Sequence, residues 1–211
     1  MQQARSRIGI LLADVGKFNR NDAVLKYLVL HMNTLQTTFE FEFLPVDLND
    51  NFIQMFSAQK TVKRNSNLRK IDIPAFLEGY REYLRYQNYV MKEERLPDNL
   101  VLVTTACFDD KYYSLREPGI AILAFGGWKS AMYPPSLIEI ILAVILRQSV
   151  GLISPSLRPS VHLGTKGCLC DFTMQLNKVR QHVLNGFICG YCRTCLEADG
   201  LPTLADDLIP P

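Results

Sequence analysis

Short apolar runs recur through the first two thirds of the chain, each ending near a glycine, proline or acidic residue. Such runs are typical of buried or half-buried β-strands, and they cover residues 8–15, 39–44, 99–108 and 119–128. Between them, residues 22–39 and 75–92 repeat apolar side chains at the spacing of an amphipathic helix, with Val24, Leu28 and Leu35 predicted to face inward. We predict an α+β fold with a mixed β-sheet flanked by helices, whose opening β-α-β unit pairs two strands in parallel.

A further apolar helix is predicted over residues 137–149. Ser136 and Glu139 have the spacing of a capping box, in which each side chain satisfies a backbone N–H at the start of the helix. The stretch 137–146 is nearly all apolar, but it carries Glu139 and is too short to span a membrane. We therefore expect a helix buried in the core.

Composition narrows the classes of function. The chain has 211 residues, of which 48% are hydrophobic, and a formal net charge of +2. This is enough apolar material for the core of one domain, and the near-neutral charge disfavours nucleic acid as a partner. The opening segment has only a short apolar run ended by Asp14, which is not the pattern of a signal peptide. We expect a cytoplasmic protein without a membrane span, whose cysteines stay reduced.

Five of the six cysteines lie close together, as a CxC pair (Cys168 and Cys170) and a CxxCxxC run (Cys189, Cys192 and Cys195). Ordinary burial does not explain this spacing, because buried cysteines behave as small apolar residues with no reason to repeat at short intervals. Zinc does explain it, since two thiolates from one tight turn can bind one ion and a second pair can complete the tetrahedron. The competing interpretation is that the cysteines are free or joined in disulfides.

Between the two cysteine groups, apolar spacing predicts a helix over residues 174–185, with Thr173 as its N-cap and Gly186 as its end. The last segment, residues 197–211, is acidic and ends in two prolines. We expect this tail to fray or to lie along the surface.

These elements and motifs resemble the archaemetzincin branch of the metzincin zinc peptidases, whose pattern is HExxHxxGxxHC, then four residues, CxM and a later CxxC. His162 and Cys168 keep the spacing from the third histidine to the CxM cysteine, and Cys168-Leu169-Cys170 stands where CxM would. The later CxxC is matched by Cys189 and Cys192. The resemblance implies a zincin-like fold over residues 1–196, with 162–196 as its cysteine-rich zinc segment.

The catalytic residues of that family have no counterparts here. Counting back from Gly151, its two helical histidines fall on Val144 and Gln148, and its general-base glutamate falls on Ile145. Valine cannot bind zinc, glutamine is a poor ligand, and isoleucine cannot activate a water molecule. The resemblance therefore implies that the catalytic zinc site is lost, and no catalytic residue is assigned.

The structural zinc of the family uses four cysteines, the first of which falls on Leu163 here. Cys170, which replaces the methionine of CxM, can compensate for this loss. The resemblance then implies a structural zinc ion held by Cys168, Cys170, Cys189 and Cys192. Cys195 and His162 are the alternative ligands.

The cysteines are retained, whereas the helix over residues 137–149 lacks the catalytic residues. This combination favours a catalytically inactive, zinc-binding domain that acts as a protein-interaction or regulatory module for an unidentified protein partner. One alternative is a hydrolase with a non-standard site built from His162, Asp109, Asp110 or Asp171. The other is a zinc ribbon that binds nucleic acid through residues 60–70 together with Lys166, Lys178, Arg180 and Arg193.

Overall fold

The computed structural model describes residues 5–14, 22–58, 60–63, 72–87, 96–110, 112–128, 134–157, 167–171, 176 and 179–209. Its strands are β1 (Ser6–Leu12), β2 (Phe39–Phe43), β3 (Thr61–Val62), β4 (Asn99–Thr104), β5 (Cys107–Phe108), β6 (Ser114–Glu117) and β7 (Ile120–Ala124). Its α-helices are α1 (Asp22–Leu35), α2 (Asn51–Ala58), α3 (Ile73–Tyr86), α4 (Leu137–Ile153), α5 (Arg180–Asn185), α6 (Gly190–Ala198) and α7 (Leu204–Leu208). A 3-10 turn at Pro155–Leu157 follows α4.

The main sheet of the described chain has the strand order β2-β1-β4-β7-β6. Strands β2, β1, β4 and β7 run parallel to one another, and β6 pairs with β7 in the antiparallel direction. Ser6 lies opposite Phe39 in the parallel pair that encloses α1. The predicted mixed sheet with flanking helices and the opening β-α-β unit are therefore confirmed.

Alternating side chains of the central strands divide the core between the two faces of the sheet. In β4, Leu100 and Leu102 pack with α2 and α3, whereas Val101 and Val103 pack with α1, α4 and the cysteine segment. Strands buried on both faces need apolar residues at every position, which explains their continuous apolar runs. The cysteine segment thus lies on the same face of the sheet as α4.

Helix α1 differs from its prediction in length and orientation. It ends at Leu35, and the side chains of Leu35 and Val24 are 69% and 46% exposed, so the expectation that both face inward is wrong. Leu25 and Val29, at 1% and 0% exposure, contact the core instead. Apolar side chains of α1 occupy most of its circumference, so their periodicity did not identify the side that packs on the sheet.

Side-chain amides at the end of α1 cover the outer edge of β2. Gln36 exchanges two hydrogen bonds with the backbone of Phe39, at 2.6 and 2.9 Å. Asn33 does the same with Phe41, at 2.7 and 2.9 Å. Because an open strand edge pairs readily with other chains, these amides protect the sheet on this side.

Helix α4 has the predicted capping box. Glu139 Oε2 accepts a hydrogen bond from the Ser136 N–H at 2.6 Å, and Ser136 Oγ accepts one from the Glu139 N–H at 3.3 Å. The helix then continues to Ile153, beyond the predicted end at residue 149, and its inner side is buried. Within the part of the chain that is described, no helix is both long enough and apolar enough to cross a membrane.

The described part of the C-terminal tail, up to residue 209, packs against the fold, so the expectation that it frays is wrong there. Leu204 and Ala205 of α7 are each 1% exposed. The Asp207 carboxylate accepts hydrogen bonds from the backbone N–H groups of Thr37 and Thr38, at 2.8 to 2.9 Å, and from both threonine hydroxyls. The acidic character of the tail thus has a structural cause, because this carboxylate binds donors that follow α1.

A second carboxylate ties α6 to the end of α4. Asp199 accepts hydrogen bonds from the Ser154 hydroxyl and from both the N–H and the hydroxyl of Ser156. Burial acts to raise the pKa of the Asp199 carboxyl, but these hydrogen bonds outweigh it and lower the pKa. The segment that carries the last cysteines is therefore anchored on α4.

The adjacent residues Asp206 and Asp207 allow a matched test of tail docking. Asp207→Asn should lower the free energy of unfolding by about 2 kcal/mol, because the asparagine loses the charge and turns an amide group toward N–H donors. Asp206→Asn should cost less than about 1 kcal/mol, since the ion pair of Asp206 with Arg193, at 2.6 Å, is exposed to solvent. Urea unfolding of both variants measures the difference, and equal losses would contradict the docking role of Asp207.

Acid should weaken the same contact. Burial acts to raise the pKa of the Asp207 carboxyl, but hydrogen bonds from Thr38 and Thr37 outweigh burial and lower that pKa. The folded pKa lies below the unfolded value of about 3.9, so the stabilisation is complete above that pH and is lost as the pH falls through the folded value. The unfolding free energies of wild type and Asp207→Asn should therefore converge below about pH 4.

Candidate metal centre

Two chain segments bring cysteine sulfurs together on the α4 face of the sheet. The first is the turn at residues 167–171, which carries Cys168 and Cys170, and the second begins at Phe187 and enters α6. Cys168 and Phe187 form a parallel bridge, and the Leu169 N–H donates to the Phe187 carbonyl at 2.7 Å. Cys189 is the N-cap of α6, so Cys192 lies in the first turn of that helix.

The first turn is shaped by Asp171 and Gly167. Asp171 is 4% exposed, and its Oδ2 accepts hydrogen bonds from the N–H groups of Gly167 and Cys168 at 2.9 and 3.2 Å. Gly167 has a φ of +118°, and a Cβ atom there would lie 2.4 Å from Nδ2 of Asn185. Asp171 therefore fixes the backbone turn that carries Cys168. The sequence analysis considered Asp171 as a catalytic acid and did not predict this structural role.

Cys168, Cys189 and Cys192 place their sulfur atoms within 4.8 Å of one another. The sulfur atoms of Cys168 and Cys192 are 3.9 Å apart. Two sulfurs bound tetrahedrally to one zinc ion, each at about 2.3 Å, lie about 3.8 Å from each other. This spacing and the soft donor set both fit zinc.

The backbone already favours negative charge on Cys168. The N–H groups of Cys170 and Cys189 point at its sulfur, with N–S distances of 3.4 and 3.3 Å. Hydrogen bonds between Cys168 and the side chains of Cys170 and Cys192 lower the pKa of Cys168 most strongly, and these N–H groups lower it further. The backbone around Cys168 is thus arranged to stabilise a thiolate at this position.

Hydrogen bonds within the cluster act against ionisation of two further thiols, those of Cys170 and Cys192. The hydrogen bond to Cys168 raises the pKa of Cys170 to about 12, and the corresponding bond raises the pKa of Cys192. Adjacent thiols cannot all ionise without a compensating positive charge. Bound zinc supplies that charge and deprotonates the coordinating thiols.

The four predicted ligands differ in what the structure shows of them. Three form the sulfur cluster, and the fourth, Cys170, is half-buried and interacts with the sulfurs of Cys168 and Cys192. Cys170 therefore stays the predicted fourth ligand. Cys195, also half-buried, lies one turn after Cys192 in α6, while the other alternative, His162, lies outside the described residues.

The helix between the cysteine groups is shorter than predicted. Helix α5 begins at Arg180. Leu176 lies in a 3-10 turn, and Val179 lies in the turn that precedes the helix. Their apolar spacing reflects burial, at 6% and 1% exposure, and suits these turns as well as a helix. Gly186 ends the helix as predicted, with a φ of +50°, whereas the predicted N-cap Thr173 lies outside the described residues.

The positions assigned to the lost catalytic residues lie inside the core. Val144, Ile145 and Gln148 of α4 are 1%, 0% and 4% exposed. Among the described residues, no second group of three histidine, cysteine or acidic side chains is arranged to hold a metal ion. The metal-binding capacity of the described chain is therefore concentrated in the cysteine cluster.

No protein-family model and no curated protein sequence matches this chain. Similarity is found in the fold. The crystal structure of archaemetzincin from Methanopyrus kandleri aligns with a TM-score of 0.54 at 12% identity, covering 94% of this chain and 97% of that chain. The fold is archaemetzincin-like. A zinc-dependent peptidase from Methanocorpusculum labreanum (strain Z) aligns with a TM-score of 0.53 at 17% identity, covering 90% of this chain and 99% of that chain.

The archaemetzincin-like fold confirms the architecture that the motifs implied. Identities of 12% and 17% transfer the fold and no residue role. Zinc binding by this chain is therefore inferred from the arrangement of its own sulfur atoms.

Proposed function

We propose that this chain is a zinc-binding protein with an archaemetzincin-like fold whose zinc is structural and whose peptidase chemistry is absent. It acts in the cytoplasm as a protein-interaction or regulatory module. The observation that carries this proposal is a contrast within one molecule. The cysteine cluster is assembled with zinc spacing, whereas the helix that the resemblance makes catalytic presents Val144, Ile145 and Gln148 to the core.

Burial and connectivity support a structural role for the zinc. Cys168 and Cys192 are both 0% exposed, whereas a catalytic zinc keeps one position open to water or substrate. The same cluster joins the turn at residues 167–171 to the start of α6. A zinc ion held there by Cys168, Cys189, Cys192 and Cys170 would crosslink these two segments.

The absence of peptidase chemistry is supported by the side chains at the positions that correspond to the family's catalytic residues. Ile145 cannot accept a proton from water, and Val144 has no donor atom for a metal. Two of the three acids weighed for a non-standard site have local roles, since Asp171 accepts hydrogen bonds from two N–H groups and Asp110 accepts one from the Tyr112 N–H at 3.2 Å.

The outer face of α1 supports a protein partner. Val24, Tyr27, Leu30 and Leu35 are between 46% and 69% exposed on this one helix. The charged residues of α1 are Asp22, in its first turn, and Lys26. Exposed large apolar side chains concentrated on one helix in this way are typical of interaction sites in soluble proteins.

A peptidase assay on protein of known zinc content tests this proposal. We expect about one zinc per chain and no cleavage of a mixed peptide library above the rate measured in buffer, with a known zinc peptidase as positive control. Cleavage that a zinc chelator abolishes and added zinc restores would contradict the loss of peptidase chemistry. Protein purified in zinc-containing buffer that holds none would contradict the zinc-binding role.

A further inference from the structure

The two cysteines that begin α6 differ in their exposure. Cys189, the N-cap of this helix, is half-buried, whereas Cys192, in the first turn, is 0% exposed. Gly190 and Tyr191 lie between them at the surface. Tyr191 is 56% exposed, and a Cβ atom at Gly190 would meet no atom of another described segment within 4 Å. A small molecule can therefore approach the pair from the side of Cys189.

An outer and an inner cysteine within one helical turn are typical of a redox-active dithiol. Cysteines that sense oxidants are accessible and lie next to a second cysteine that resolves the oxidised one. The sulfur atoms of Cys189 and Cys192 are within 4.8 Å of each other, and both side chains start from the first turn of α6. The sulfur of Cys168, by contrast, belongs to the other segment and is held there by the N–H group of Cys170 at 3.4 Å.

We propose that Cys189 and Cys192 are a redox-active pair that a hydroperoxide converts to a disulfide, and that this oxidation releases the zinc ion. This role rests on the zinc-binding function proposed above and describes its regulation. Of the four predicted ligands, only Cys168 and Cys170 would remain, and two thiolates on one turn cannot complete the tetrahedron around zinc. Oxidation thus opens the crosslink between the turn at residues 167–171 and α6.

The electrons and atoms of this oxidation balance with one hydroperoxide and one water molecule. The Cys189 thiolate attacks the outer oxygen, the O–O bond breaks, and Cys189 becomes a sulfenic acid while the alkoxide takes a proton from water and leaves as an alcohol. The Cys192 thiolate then attacks the Cys189 sulfur, the S–O bond breaks, and hydroxide leaves. The two thiolates lose two electrons to the hydroperoxide, and a dithiol reductant reverses the change by exchange.

Oxidation of the zinc-loaded chain by hydrogen peroxide tests this role. A chromogenic chelator measures zinc release, and trypsin separates the candidate disulfides, because residues 181–193 contain both Cys189 and Cys192 whereas Cys168 lies in residues 167–178. We expect release of about one zinc per chain and a peptide of residues 181–193 that is lighter by two hydrogen atoms. Dithiothreitol, followed by its removal and by added zinc, should restore the zinc-loaded chain.

Two variants provide the comparison. Cys189→His keeps a side chain that can bind zinc but cannot form a disulfide. It should release zinc at least about 10-fold more slowly than wild type under the same peroxide. Cys107→Ser removes a thiol of β5 outside the cluster and should respond as wild type does. If Cys189→His does not bind zinc, the peptides of the oxidised wild type decide.

The outcomes distinguish this role from the proposed function. Zinc retained by the wild type in excess peroxide overturns the redox role and leaves the zinc centre standing. A disulfide that joins residues 167–178 to residues 181–193 also overturns it, as does zinc release without a disulfide, because Cys189 and Cys192 would then not be the reacting pair. A wild-type chain that holds no zinc before oxidation refutes the proposed function itself.

Discussion

Cys168→Ser should abolish zinc binding and lower the free energy of unfolding by at least about 5 kcal/mol. The Cys168 sulfur is 3.9 Å from that of Cys192 and accepts hydrogen bonds from the N–H groups of Cys170 and Cys189. It therefore connects both segments of the centre. Structural zinc contributes about 10–16 kcal/mol of binding free energy in zinc-finger peptides. Its loss is therefore comparable to the whole stability of a typical domain.

Elemental analysis and thermal unfolding together measure this effect. Cys107→Ser is the matched control, because Cys107 is a half-buried thiol of β5 outside the cluster. It should keep one zinc per chain and lose no more than about 1 kcal/mol. A Cys168→Ser chain with full zinc content and wild-type stability would contradict the proposed centre.

The second large effect concerns helix α4, which lacks the catalytic residues of the family that the chain resembles. Ile145 is 0% exposed in α4, so Ile145→Glu would bury a carboxylate without a partner. We expect a loss of at least about 3 kcal/mol, or a chain that does not fold. The reason is that an unpaired charge in an apolar core loses its hydration and gains no compensating contact.

Ala143→Glu on the same helix provides the comparison, because Ala143 is half-buried and its glutamate can reach water. Urea unfolding should show a loss at least about 2 kcal/mol smaller for Ala143→Glu than for Ile145→Glu. If Ile145→Glu were tolerated as well as Ala143→Glu, position 145 would face an open cleft. That result would contradict the proposed loss of the catalytic site.

Local signals in the sequence were sufficient for much of the fold. The capping box of Ser136 and Glu139 and the helix end at Gly186 depend on residues a few positions apart. Such features are determined by backbone hydrogen bonds and glycine geometry, which a short window contains. They were therefore predictable.

Contacts between distant residues were not predictable in the same way. Asp207 meets Thr37, 170 positions away, and no local pattern in an acidic tail indicates that partner. The orientation of α1 was missed because Val24 and Leu35 are as apolar as Leu25 and Val29, and only the sheet decides which pair is buried. Packing and long-range hydrogen bonds supply what periodicity lacks.

The candidate site shows the same division. Cysteine spacing predicted a metal centre, because the type of ligand and the short repeats are both visible in the amino-acid sequence. The cluster of Cys168, Cys189 and Cys192 depends on a bridge between the turn and Phe187, which the spacing does not encode.

Native mass spectrometry of the 211-residue chain is the most direct test of a single structural zinc centre, repeated on a Cys189→Ser/Cys192→Ser variant. We predict one zinc per wild-type chain and none in the variant, whose C-terminal segment should also lose its protection from proteolysis. Two metal ions per chain would contradict the single centre and point to a second, catalytic site. Zinc retained by the variant would show that the ion is bound elsewhere.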